Sequence, residues 1–145
     1  MKLKIRASFA EALKPPPFLS VSKWSEQYMV LSADYSASTG RFKAYLYQNG
    51  IMDAMTDTKN KTIVVMKSAR VGYTQVLNNA FGYFIHYQPS PILIVQPRNG
   101  DAEDHSKGVI APMLRDVPVL AKLGGDAKSK DSNQTILAKK FNNGS

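Results

Sequence analysis

Cysteine is absent from the 145 residues. That excludes a disulfide scaffold, a thiolate zinc site and a cysteine nucleophile, and it fits a reducing cytoplasm. Histidine is scarce: His86 and His105 are isolated, lack metal-ligand spacing, and read as structural or exposed. Long apolar runs are also missing, and none approaches the roughly 20 residues needed to span a bilayer. The N-terminal stretch "MKLKIRASFAEALKPPP" is basic but has no continuous apolar core, so neither export nor membrane insertion is expected. Acidic residues are few: 11 Asp and Glu against 19 Lys and Arg leave a formal net charge of +8. Such an excess fits either a solvated basic surface or a polyanionic partner, and nucleic acid is the commonest partner of that kind.

What is present reads as one globular domain of ordinary composition. Residues 1–18 form a basic, Pro-rich arm, with Lys2, Lys4, Arg6 and Lys14 ahead of Pro15-Pro16-Pro17. "VSKWSEQYMVL" has a candidate N-cap at Ser20 or Ser22 and puts Trp24, Tyr28 and Leu31 on one helical face. "YLYQNGIMDAM" carries apolar residues at helical spacing despite Gly50. After the loop "DTKNK" a regular alternation begins. "TIVVM" (62–66) and "PILIVQP" (91–97) are short apolar runs suited to parallel strands buried on both faces. Between them Val76, Leu77, Ala80, Phe81, Phe84 and Ile85 make a helical stripe. Residues 100–114 read as a helix with Asp101, Glu103 and Asp104 in its first turn, where the helix dipole favours acidic groups. "TILAKKF" is a third strand candidate and "NNGS" a turn after it. This order predicts an α/β fold, a mostly parallel sheet flanked by helices with right-handed crossovers.

The junction "TIVVMKSARVGYT" is where that architecture would place a phosphate loop. The standard pattern is G-x-x-x-x-G-K-[ST]. Its chemistry requires a strand, small residues that let backbone N–H groups face phosphate, a cation for the β and γ oxygens, and a hydroxyl for Mg²⁺. Laid over it, "KSARVGYT" has Gly72 at the second glycine and Thr74 at the hydroxyl. Lys67 stands in the first glycine's place and Tyr73 in the lysine's. The cation has moved to the opposite end of the loop. Because such a loop curls back on itself, a lysine there still reaches the same phosphates. The bland alternative is an ordinary strand-to-helix turn with a solvated lysine.

"VVMKSARVGYTQ" resembles the variant phosphate loop of the large terminase subunits of tailed bacteriophages, in their lambda-like group, where a lysine opening the loop replaces the usual one. "GRFKAYLYQNGIMDAM" resembles the segment before that loop. "ILIVQPRNGDAEDHSKGVIAPMLRDVPVL" resembles the strand and helix after it, and "KKFNNGS" the next strand and turn. The likeness covers residues 19–145 and implies the N-terminal portion of a P-loop ATPase domain of the additional-strand, helicase-like type, truncated before the Walker B strand.

The resemblance implies an ATP-driven motor that moves double-stranded DNA into a procapsid in the bacterial host cytoplasm. Its partners would be a small terminase subunit, a portal protein and further copies of itself, and its cofactors ATP and Mg²⁺. Lys67 would contact the β and γ phosphates, and the backbone of Ser68, Ala69, Arg70, Val71, Gly72 and Tyr73 would cradle them. Thr74 would hold Mg²⁺. Arg70 would either neutralise transition-state charge or serve as a solvated arginine. Gln48 matches a glutamine that reads adenine, unless it is a polar helix-surface residue. Tyr47 or Phe42 would stack on the base or fill the core. Arg98, Asn99 and Lys107 are weaker candidates for DNA backbone contacts.

ATP hydrolysis in such a fold also needs an apolar strand ending in Asp-Glu. Asp101, Glu103, Asp104, Asp116, Asp126 and Asp131 are the acidic residues after Thr74, and none follows four apolar residues. The chain is therefore expected to be a fragment that binds nucleotide at most. The alternative is a basic nucleic-acid-binding or assembly module, a prophage remnant that no longer uses ATP.

Overall fold

The computed structural model describes residues 18–123 and 135–141. The basic arm, apart from Phe18, and the "NNGS" turn lie outside the described residues.

Helix α1 (Val21–Tyr28) starts after Ser20, which takes the extended backbone of an N-cap. Met29 leads into β1 (Val30–Leu31), which pairs antiparallel with β2 (Gly40–Arg41), Val30 opposite Arg41 and Leu31 opposite Gly40. The Phe42 N–H donates to the Met29 carbonyl at 3.0 Å and carries the pairing one step further. Helix α2 (Leu46–Ala54) opens at Tyr45, whose N–H donates to Gln48 Oε1 at 3.1 Å. Helix α3 (Tyr73–His86), at 14 residues, is the longest among the described residues. Helix α4 (Asn99–His105), a π turn (Ser106–Ile110) and helix α5 (Ala111–Asp116) run on from one another. The widened turn has a local cause: Pro112 lacks an N–H and its ring crowds the carbonyl four residues back. Helix α6 (Pro118–Ala121) closes against α3.

The core gathers around Trp24 on α1, which is fully buried with Met29, Met52, Tyr83, Met113 and Leu120. Tyr83 meets the indole edge-to-face, centroids 6.2 Å apart and planes at 88°. Gly82 allows this approach, since a Cβ there would lie 2.7 Å from Trp24 Cη2. Asn79 is buried among these groups and satisfied: its Oδ1 accepts from Gln75 Nε2 at 2.7 Å, and its Nδ2 donates to Met52 Sδ at 3.6 Å. The buried residues of α3 are thus Val76, Asn78, Asn79, Ala80, Gly82, Tyr83 and Ile85. Leu77 is exposed and Phe81 and Phe84 are half-buried, so the expected stripe holds only in part.

The expected parallel sheet is not formed among the described residues. Among the described residues the only sheet is the β1–β2 pair. Residues 62–68 and 91–96 carry no strand assignment, and no backbone group in either makes a backbone hydrogen bond among the described residues. Their side chains still alternate as a strand's do, with Val64 at 87% and Met66 at 100% exposure, and Leu93 at 86% and Val95 at 80% between the less exposed Ile92, Ile94 and Gln96. Of the third expected strand, residues 135–138 form a tight turn, in which the Thr135 N–H donates to the Ala138 carbonyl at 2.8 Å, and Lys139 alone makes a β-bridge. A helix makes its hydrogen bonds within its own segment, whereas a strand makes all of its own with another, and no described segment bonds to these.

Candidate functional site: the loop between residues 67 and 74

The loop joins the extended segment 62–66 to the N-terminus of α3. Two residues in the left-handed region turn it: Arg70 at φ 59° and Gly72 at φ 71°. Gly72 is the N-cap of α3, and no side chain caps the helix. Within the loop, the N–H groups of Ser68 through Thr74 make no backbone hydrogen bond among the described residues. They are the orphan donors that suit an anion at the start of a helix.

The curl returns the chain to its own beginning. Lys67 Nζ lies 5.6 Å from the centroid of the Tyr73 ring and 3.4 Å from the Ser68 carbonyl, to which it donates. Lys67 and Tyr73 line one cleft with Tyr47, Gln48, Ile51, Val65, Met66, Ser68, Val71 and Val76, with a volume of about 320 Å³.

Helix α2 holds the loop from the other side. Tyr47 Oη donates to the Val71 carbonyl at 3.0 Å, and Gln48 Nε2 donates to the same oxygen at 3.4 Å. Gln48 is buried, and its other amide atom accepts from the Tyr45 N–H. Gly72 is favoured by its positive φ, and a Cβ there would sit 2.9 Å from Gln48 Nε2, so the end of that side chain would have to shift. Tyr45 and Tyr47 stack in the open beside this junction, centroids 5.7 Å apart and planes at 4°.

The structure therefore brings Gln48 and Tyr47 to the same cleft as Lys67, Ser68, Val71 and Tyr73. Thr74 is exposed in the first turn of α3. Phe42 is buried in the core, away from the role of a base-stacking residue. Arg98, Asn99 and Lys107 do not line this cleft. Arg98 pairs with Asp101 at 3.0 Å and Lys107 with Glu103 at 3.0 Å, both at the surface. His86 accepts from Trp24 Nε1 at 3.0 Å, and burial pushes its pKa down. His105 lines a separate apolar recess beneath segment 91–96, and burial lowers its pKa too. Sequence reasoning placed the Val71 backbone in the phosphate cradle but missed that its carbonyl is the common acceptor tying α2 to the loop. Nothing in the residue type signals that role, because any residue offers a carbonyl.

The residues present suit a phosphate ligand: among the described residues an ammonium in no ion pair and a run of N–H groups with no backbone partner lie beside a helix start that no side chain caps. Among the described residues no three acidic or histidine side chains cluster to hold a metal ion. Mg²⁺ takes few protein ligands when it also binds phosphate, so the exposed Thr74 hydroxyl is compatible with it. No helix among the described residues is long and apolar enough to cross a membrane.

Residues 36–145 match a family model described as the phage terminase large subunit gpA, ATPase domain. The terminase large subunit of Escherichia phage lambda is 33% identical over 140 residues, which are 97% of this chain and 22% of that protein. The terminase large subunit of Enterobacteria phage P21 is 34% identical over 130 residues, 90% of this chain and 20% of that protein. The chain thus spans about a fifth of the length of these relatives. No solved structure matches it. With the variant loop, its lysine and the helix behind it in place, and a family match over most of the chain, this protein belongs to the phage terminase large subunit ATPase-domain family.

Proposed function

We propose that the chain is the ATP-binding part of a viral DNA-packaging motor, and that the loop 67–74 holds the nucleotide's phosphates. The observation that carries this reading is that Lys67 lies against Tyr73 at the start of α3, beside the N–H groups of residues 68–74, which have no backbone partner among the described residues. Lys67 neutralises the β and γ phosphates, and the amides from Ser68 to Tyr73 donate to their oxygens. Arg70, held by its left-handed backbone on the exposed rim, adds a second positive charge beside them. The Thr74 hydroxyl is one ligand for the Mg²⁺ that travels with the nucleotide, which supplies charge neutralisation when bound. Tyr47 and Gln48 meet the base side of the cleft. The Gln48 contact to Val71, at 3.4 Å, is the weaker of its two bonds and the one an adenine edge would replace.

In this reading the segments 62–66 and 91–96 are strands of a P-loop sheet whose pairing is completed by other strands. Their alternating exposure supports this. The motor's substrate is double-stranded DNA, with Arg98, Asn99 and Lys107 as candidate backbone contacts. Its partners are the small terminase subunit, the portal protein and further copies of the large subunit, in the bacterial host cytoplasm.

The test is thermal protection. Mg-ATP should raise Tm, and Lys67→Ala should abolish the rise. No rise with the unaltered chain would favour the second reading, a basic nucleic-acid-binding module that no longer uses ATP, which the net charge of +8 supports. Competition of ATP against GTP on Gln48→Ala tests the base. An unchanged preference would leave Gln48 as a brace for the loop alone.

A further inference from the structure

Tyr73 occupies the place where a standard phosphate loop carries its lysine. Side chains on a helix tilt toward its N-terminus, so a residue at the first helical position covers the loop that precedes it. Tyr73 does so: its ring is half-buried, lines the loop cleft, and meets the Lys67 ammonium 5.6 Å from its centroid. That is within the range at which an aromatic face attracts a cation. Among the described residues Lys67 forms no ion pair, and its one hydrogen bond goes to the neighbouring Ser68 carbonyl.

The choice of partner matters. A carboxylate would hold the ammonium through a full opposing charge, and an arriving phosphate would have to displace it. An aromatic face restrains the long side chain but leaves its charge uncompensated. We infer that Tyr73 is the positioning residue for Lys67: its ring holds the displaced lysine over the cleft, pre-oriented for phosphate. This rests on the nucleotide-binding reading and deepens it. It also gives the moved lysine a structural counterpart, since a ring now stands where the standard loop carries its cation.

The contact and the ligand can be tested separately. Without nucleotide, NMR of the lysine-labelled chain should show the ring-current shift of the Lys67 ε-methylene in the unaltered protein and in Tyr73→Phe. Tyr73→Leu should lose it, with Tm confirming that the variant is folded. Titration with Mg-ATP should then show Tyr73→Leu weakening binding by roughly two- to fivefold, with Tyr73→Phe restoring most of the affinity. In a Lys67→Ala background, Tyr73→Leu should add no further loss. Additive losses, full affinity in Tyr73→Leu, or the absence of the ring-current shift would overturn the inference. Absence of Mg-ATP binding by the unaltered chain would sink the nucleotide reading itself, whereas a Lys67-dependent affinity indifferent to Tyr73 would sink only this step.

Discussion

The helices around Trp24 and the two apolar runs at 62–66 and 91–96 are similarly hydrophobic, yet one region is packed and the other open. Trp24, Met52, Tyr83 and Leu120 are fully buried, while Val64, Met66, Leu93 and Val95 face outward. The difference lies in where the backbone finds its hydrogen bonds. Helices α1, α2 and α3 satisfy theirs internally and need only one apolar face covered, which they provide for each other. The extended runs need a neighbouring strand before their apolar faces can be buried at all. Hydrophobicity sets what wants to be inside, and backbone pairing decides whether it gets there.

The contrast is sharpest at Trp24. Trp24→Ala should cost about 3–5 kcal/mol, by opening a cavity against Tyr83 and Gly82 and leaving His86 without its donor. Val64→Ser should change stability by no more than about 0.5 kcal/mol. Urea unfolding of both variants checks this, and equal losses would break the comparison.

Gly72 comes next, because it lies where the packed region grips the loop. Gly72→Ala forces a left-handed residue, costing about 1–2 kcal/mol, and pushes its Cβ to within 2.9 Å of Gln48 Nε2. It should lower both Tm and Mg-ATP affinity. A normal affinity would mean that the loop does not depend on α2.

Lys67→Ala separates binding from folding. It should weaken Mg-ATP binding at least tenfold, about 1.4 kcal/mol, while leaving Tm without ligand unchanged, since Lys67 is exposed. A loss of fold in this variant would move Lys67 from ligand contact to structural support.

His86 should give a smaller effect that is confined to the packed region. Its Nδ1 accepts the Trp24 N–H, and burial depresses its pKa below the ordinary value. The neutral form is the stabilised one. This contribution is therefore fully present above the unfolded pKa of about 6.5 and is lost as pH falls through the lower folded value. Tm should fall modestly over that acidic window, and His86→Gln should flatten the dependence.

The extended runs should respond to salt where the packed core does not. Screening weakens the mutual repulsion of chains carrying +8, so light scattering should rise with ionic strength. Replacing Val64 and Val95 together with lysine should suppress the rise with little change in Tm. Association that persists in this variant would place the sticky surface elsewhere.

Much of the candidate site was legible in local pattern. The Ser20 cap, the α2 segment, the loop with Gly72 at its turn and the helix behind it all follow from residue type and spacing. The sheet was not legible, because apolar runs of strand length state a preference without naming a partner. The buried face of α3 was read incompletely for a related reason. Asn79 and Gly82 face the core because Met52, Gln75 and Trp24 meet them there, and no periodicity of apolar residues marks such positions.

By itself the sequence determined the chemistry available to the loop: a lysine moved to its first position, a glycine where a positive φ is needed, and a hydroxyl at its end. It also determined most of the helices, because their backbone hydrogen bonds are made within each segment. Only the tertiary structure decided that Gln48 and Tyr47 share the Val71 carbonyl, that Tyr73 lies against Lys67, and that the apolar runs pair with no other described segment. Each of these depends on where distant backbone groups come to rest, and that is set by packing between elements.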